Sequence, residues 1–87
     1  MDAKQKLLDL AVSETGFVFD PYTGTSFNTN TSGRTILNCL KEGQGRDQLL
    51  MALQDQFEVG NEDLNRDLDE FIYLLRENGI LPADFEL

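Results

Sequence analysis

The spacing of apolar positions changes once along the 87-residue chain. In the first third, apolar residues occur in short runs separated by turn-forming clusters, which is typical of strands. From about residue 31 onward they recur every three or four positions, which is typical of helices with one buried face. The pattern therefore predicts an α+β fold in which a three-stranded antiparallel sheet is followed by three helices, an order that a winged helix-turn-helix also has.

Three short segments in the first third of the chain have the character of strands. Residues 1–5 precede them, and we expect these five residues to be loose. Residues 7–12 are predicted as the first strand because they are short and a turn-like cluster follows, although helical spacing also fits them. Residues 17–19 are aromatic and β-branched, as strands prefer. A turn over residues 20–24 then leads into the more polar residues 25–29. In such a meander the first and third strands are edges.

The three predicted helices have recognisable ends. The first begins at a polar capping residue, one of Asn30, Thr31 and Ser32. It ends at Gly43, and the second helix follows Gly45. The last and longest covers residues 61–78, with Asn61 as its cap. Its broad apolar face consists of Leu64, Leu68, Phe71, Ile72 and Leu75. The simplest interpretation of this face is core, and one margin of it could also wall a groove beside the third strand.

Charge is unevenly distributed and argues against nucleic-acid binding. The net charge is −9, and acids and bases balance through Lys41. From Glu42 onward, twelve acids are accompanied only by Arg46, Arg66 and Arg76. Such a surface repels phosphate backbones, so a DNA-binding winged helix is disfavoured.

The residue inventory offers no catalytic or metal site, so we expect a non-enzymatic protein without a cofactor. The chain has no histidine, and its only cysteine, Cys39, is interpreted as a small buried apolar residue. The acidic cluster Asp63, Asp67, Asp69 and Glu70 lacks the glycine and alternating ligands of a calcium loop. No apolar run approaches the roughly 20 residues that span a bilayer, and no signal peptide is recognisable, so we expect a cytoplasmic protein.

The third predicted strand has an unprotected edge. Residues 25–29 contain no proline, lysine or evident bulge, the features that usually prevent edge pairing. An extended peptide could therefore add there as a fourth strand and gain affinity from main-chain hydrogen bonds. The alternative is a short, polar edge that is simply solvated. Self-pairing through this edge is also open, so we expect a monomer or a weak dimer.

An ordered set of residues from about position 7 to position 81 carries a family resemblance. It comprises Gly16, Phe17, Val18, Phe19, Asp20, Pro21, Thr23, Gly24, Asn30, Gly33, Ile36, Leu37, Leu40, Gly43, Leu49, Leu53, Phe57, Glu58, Val59, Asp67, Phe71, Leu75, Gly79, Ile80 and Leu81. This set resembles the PqqD-like family of peptide chaperones. One departure is Thr29, since many members have leucine before the residue that corresponds to Asn30. We expect this change to remove an apolar anchor near the strand edge.

The resemblance implies one winged-helix-like domain over residues 1–87 that recognises the leader of a ribosomally made precursor peptide. The leader would add as a strand between the third strand, residues 25–30, and the third helix, residues 61–78. The implied peptide-binding residues are Thr25, Ser26, Phe27, Asn28, Thr29, Asn30, Leu64, Leu68, Phe71, Ile72 and Leu75. The implied partners are the precursor peptide and a separate modifying enzyme, often a radical SAM protein. A general protein-interaction or regulatory module of the same fold is the alternative.

Overall fold

The computed structural model describes residues 3–58 and 60–87. The elements in chain order are α1 (Ala3–Asp9), β1 (Ala11–Val12), β2 (Phe17–Phe19), β3 (Ser26–Asn28), α2 (Thr31–Lys41), α3 (Arg46–Gln56) and α4 (Asn61–Glu77). The predicted α+β fold is confirmed: an antiparallel sheet of three strands precedes three helices, with one additional short helix before the sheet. Within the described ranges, none of the helices combines the length and apolar character needed to cross a membrane.

The sheet has the strand order β1-β2-β3, so β3 is an edge strand as predicted. Val18 in β2 pairs with Val12 on one side and with Phe27 on the other, and it is fully buried. These three residues share the face that packs against the helices, because side chains alternate between the two faces of a strand. Phe17 and Phe19 consequently lie on the outer face and are exposed.

The prediction of a strand over residues 7–12 is wrong for most of that segment. Residues 3–9 form α1, which also replaces the loose start expected for residues 3–5; Met1 and Asp2 lie outside the described residues. Leu7 and Leu10 are both buried, and this spacing of three suits one helical turn. The Leu10 N–H donates to the Leu7 carbonyl at 3.3 Å, and the Lys41 ammonium donates to the Leu10 carbonyl at 2.7 Å. Only β1 remains of the predicted strand.

Local hydrogen bonds explain where the helices begin. Asn30 caps α2, as predicted, because its Oδ1 accepts the N–H of Gly33 at 2.8 Å. At the start of α3, the Gln48 side chain accepts the N–H of Gly45 at 2.9 Å. The prediction that Asn61 caps the last helix is wrong by one position: Gly60 has the extended cap conformation and the helix begins at Asn61. The sequence also predicts a break between the last two helices at Val59 and Gly60, and Val59 lies outside the described residues.

One hydrophobic core joins the sheet to the helices. Its fully buried apolar members are Val18, Leu37, Leu49, Leu53, Leu68, Leu75, Ile80 and Leu81. α4 contributes Leu68 and Leu75, as the sequence indicated, and the segment after it contributes Ile80 and Leu81. α4 is therefore held along its length, and its position relative to β3 is set by the core.

A buried carboxylate stabilises the turn between β2 and β3. Asp20 is 1% exposed, and it accepts hydrogen bonds from the Tyr22 N–H at 2.9 Å and the Thr23 hydroxyl at 3.1 Å. The Lys6 ammonium lies 3.3 Å from its Oδ2 and also donates to the carbonyl of Gly79. Burial raises the pKa of Asp20, but these hydrogen bonds and the lysine charge outweigh burial and hold that pKa below its ordinary value.

Candidate functional site

The open edge of β3 exposes main-chain donors and acceptors. The Thr29 N–H donates to the Gly16 carbonyl at 2.7 Å, and the Asp20 N–H donates to the Thr25 carbonyl at 2.8 Å. Thr25 and Thr29 therefore turn their backbone groups toward β2. In an antiparallel pair these groups alternate from one residue to the next, so Ser26 and Asn28 turn theirs away from β2.

The outward backbone groups of Ser26 and Asn28 remain available. Both side chains are exposed, and none of the turn, cap or side-chain hydrogen bonds in the described part of the chain reaches their N–H or C=O groups. No strand lies beyond β3 in the sheet formed by these residues. The edge can consequently accept one further extended segment through main-chain hydrogen bonds.

A groove of about 400 Å³ lies between this edge and α4. It is lined by Phe27, Asn28, Thr29, Asn30, Phe71, Leu74, Leu75 and Asn78. The aromatic and leucine side chains make it apolar, and the three asparagines and Thr29 add uncharged polar groups. Since it contains no charged side chain, we call it the neutral compartment. Leu74, which is 53% exposed, is accessible to solvent on α4.

A second space of about 240 Å³ continues the groove toward the N-terminal half of α4. It shares Asn30, Phe71 and Leu74 with the neutral compartment. Its other lining residues are Ser32, Gly33, Ile36, Leu53, Leu64, Asp67 and Glu70. We call it the acidic compartment, because its charged residues are both carboxylates.

Thr29 is held between two glycines where β3 ends. A β-carbon on Gly16, whose φ is +92°, would lie 2.1 Å from the Thr29 carbonyl oxygen. A β-carbon on Gly33 would lie 1.9 Å from Thr29 Oγ1. The first position requires glycine, because its β-carbon would meet backbone and its φ is positive. At Gly33 a β-carbon would force the side chains of Thr29 and Phe71 to shift. Thr29 is half-buried and lines the neutral compartment.

The residues predicted on the third strand come together at the groove. Phe27, Asn28, Thr29 and Asn30 line the neutral compartment, and Ser26 presents its backbone at the open edge. Thr25 lies at the turn, where its carbonyl accepts the N–H of Asp20. Their part in peptide binding stays a prediction.

The residues predicted on the last helix are divided between groove and core. Phe71 and Leu75 line the neutral compartment, and Leu64 lines the acidic compartment. Leu68 is fully buried, and Ile72 is also buried on a different side of the helix, near Arg46. For these two residues the structure offers a core role, so contact with a bound peptide is not supported by their positions.

Sequence reasoning missed Leu74 and Asn78. Phe71 and Leu74 lie on a second face of α4, Asn78 caps its C-terminal end four residues after Leu74, and all three line the neutral compartment. The signal was present as the spacing 71, 74 and 78, but it was hidden by the stronger stripe that includes Leu75. An exposed leucine beside an open strand edge is what distinguishes this face.

The described residues do not assemble a metal site. Among them, no group of three or more histidine, cysteine, aspartate or glutamate side chains is placed to hold an ion. Cys39 is half-buried, and burial together with the nearby Glu42 charge raises the pKa of its thiol. That shift favours the protonated thiol, which is the poor nucleophile.

Comparisons with known proteins agree with this geometry. The sequence model of the family described as "Coenzyme PQQ synthesis protein D (PqqD)" matches residues 15–81. No curated protein sequence matches the chain. The solved structure "TbiB1 in Complex with the TbiA(beta) Leader Peptide" aligns with a TM-score of 0.76 and 23% identity, over 88% of this chain and 91% of that one. "Lasso peptide synthetase B1 complexed with the leader peptide" aligns with a TM-score of 0.69 and 25% identity, over 82% and 85%.

Proposed function

The chain belongs to the PqqD family, and on that basis we propose that it is a non-enzymatic adaptor for the leader of a ribosomally made precursor peptide. The leader adds to the free edge of β3 as a fourth strand and lies in the groove against α4. The adaptor then presents the peptide to a separate modifying enzyme, such as a radical SAM protein, and any cofactor belongs to that enzyme.

The observation that carries the proposal is the position of Ser26 and Asn28 beside the neutral compartment. Their outward N–H and C=O groups provide main-chain pairing, each hydrogen bond contributing a net ~1 kcal/mol. The adjacent apolar lining provides a place for one or more side chains of the same segment. Main-chain pairing gives affinity without sequence preference, and the groove adds selectivity.

A similar solved structure supports a leader peptide as the ligand. The lasso peptide synthetase B1 structure, at 25% identity, is a complex with a leader peptide. Its similarity covers 82% of this chain and 85% of that chain. This likeness favours a leader peptide over other extended ligands.

The proposal also covers the extent of the domain, its location in the cell and its oligomeric state. We propose that residues 1–87 act as one peptide-binding domain, in the cytoplasm, where precursor peptides are made. In the absence of peptide the open edge of β3 leaves the chain a monomer or a weak dimer, since two short edges pair through few hydrogen bonds.

Backbone amide shifts test strand addition directly. The ¹⁵N-labelled full chain is titrated with the leader of a precursor peptide encoded beside its gene, and with a scrambled peptide of equal composition as control. The leader is expected to shift the amides of Ser26 and Asn28 together with those of Phe71, Leu74 and Asn78. Unchanged amides at these positions with saturating leader would contradict the proposal.

A further inference from the structure

The groove is divided by charge along its length, and we infer that the segment it binds carries an apolar side chain flanked on one side by lysine or arginine. The apolar side chain occupies the neutral compartment, and the basic one reaches the acidic compartment. The inference rests on the proposed function and adds the chemistry of the peptide to it.

The two compartments adjoin. Asn30, Phe71 and Leu74 line both, so one extended segment can lie along both compartments. Successive residues of an extended chain advance by about 3.3 Å, and their side chains alternate in direction. Two side chains of the same segment, separated by a few residues, can therefore occupy the two compartments at once.

The carboxylates of the acidic compartment have no counter-charge. Asp67 and Glu70 are exposed and lie three positions apart on α4, hence on the same side of the helix. Within residues 3–58 and 60–87, neither forms an ion pair. Two other acids of α4 are already paired, Asp63 with Arg66 and Asp69 with Arg46. An incoming cation at Asp67 and Glu70 consequently displaces no existing partner.

The expected preference is moderate, because both carboxylates are accessible to water. An exposed ion pair strengthens an interaction by roughly two- to fivefold, and added salt weakens it. An acidic side chain at the same place meets like charge and is disfavoured. The overall charge of −9 also attracts any basic peptide, so the test must separate the local carboxylates from the general field.

Selection from a random library of ten-residue peptides provides that separation. The library is screened against the folded full chain, against D67N/E70Q, and against E62Q/E77Q. The last variant removes the same two charges from α4 at exposed positions that line neither compartment. Circular dichroism verifies that all three proteins are folded.

We expect the full chain and E62Q/E77Q to enrich peptides with an apolar residue and an excess of lysine or arginine on one side of it. D67N/E70Q is expected to keep the apolar residue and lose the basic excess. A basic excess that is absent, or that persists in D67N/E70Q, overturns the inference and leaves the proposed function standing. Failure of all three proteins to enrich any peptide contradicts the proposed function itself.

Affinities of one enriched peptide complete the test. Replacing its basic residue by glutamine is expected to weaken binding to the full chain and to E62Q/E77Q by two- to fivefold in low salt. The same replacement should weaken binding to D67N/E70Q less, because only the general attraction of the remaining negative charge is then lost. Equal weakening in all three proteins would overturn the inference.

Discussion

Gly33 and Phe71 approach so closely that a β-carbon on Gly33 would lie 2.9 Å from Cε1 of Phe71. Gly33 lies in the first turn of α2, and Phe71 lies in the second half of α4. Phe71 lines both compartments of the groove. The absence of a side chain at Gly33 therefore determines how near this aromatic ring comes to the end of β3, and with it the width of the groove.

Gly33→Ala is expected to destabilise the protein and to weaken peptide binding. The new methyl group would meet Thr29 Oγ1 as well as the ring of Phe71, and such overpacking costs about 1–3 kcal/mol. The better helix propensity of alanine, at most ~1 kcal/mol, offsets only part of this. Urea unfolding measures the change. Adding Thr29→Ala should recover part of the loss, and a Gly33→Ala variant more stable than the natural protein would refute the packing argument.

Asn28→Pro is expected to abolish strand addition while the fold is retained. Proline removes the N–H of Asn28, one of the two in β3 that point away from β2, and edge strands tolerate proline on that side. Asn28→Thr is the matched control, since it changes the side chain and keeps the N–H. Isothermal titration with the leader peptide measures binding. If Asn28→Pro binds as tightly as Asn28→Thr, the peptide does not pair with this edge.

Leu74→Ser should weaken peptide binding by about tenfold, with little effect on stability. Leu74 is 53% exposed and lines both compartments, so it contributes to the groove more than to the core. Losing apolar contact of this size reduces the binding free energy by roughly 1–2 kcal/mol. Leu8→Ser on α1 is the control, because Leu8 is 48% exposed and lies away from the groove. If Leu74→Ser and Leu8→Ser bind the leader peptide with equal affinity, Leu74 does not contribute to peptide binding.

Asp20→Asn is expected to lower stability at neutral pH by about 1–3 kcal/mol, because it removes the charge that pairs with Lys6. The folded pKa of Asp20 lies below its ordinary value of 3.8, so the stability that this carboxylate contributes is present above pH 3.8. It is lost as the pH falls through the folded pKa. The natural protein should therefore lose stability more steeply below about pH 4 than Asp20→Asn does.

Denaturant unfolding at a series of pH values measures this difference. Asp55→Asn, which removes one charge from an exposed position on α3, is the control and should change stability at pH 7 by less than about 0.5 kcal/mol. If the stability of the natural protein and that of Asp20→Asn decrease in parallel as the pH falls, the Asp20 carboxylate does not contribute pH-dependent stability.

The sequence predicted the fold best where local signals agreed with tertiary packing. The Asn30 cap and the turn before β3 are determined by neighbouring residues, and both were recognisable. Residues 7–12 were assigned wrongly because their apolar positions satisfy both strand and helix spacing. The choice depends on contacts distant in sequence, such as the Lys41 hydrogen bond to the Leu10 carbonyl.

The site was predictable only in part for a similar reason. An unprotected edge at Ser26 and Asn28 follows from the polar sequence of the strand. Whether Leu74 or Leu68 faces that edge depends on the rotation of α4 about its axis, which the core sets and no local pattern reveals. The same holds for Gly33, whose importance is evident only when Thr29 and Phe71 are seen against it.

The ion pair between Lys6 and Asp20 lies partly outside the residues that match the family model. The stretch that similarity to the family defines begins at residue 15, whereas the ammonium that neutralises Asp20 comes from α1. A fragment trimmed to residues 15–81 would bury this carboxylate without its cation and would also remove Leu7 and Leu10 from the core. We therefore expect a fragment that begins at residue 15 to be less stable than the full chain, because α1 contributes to the core and to the turn before β3.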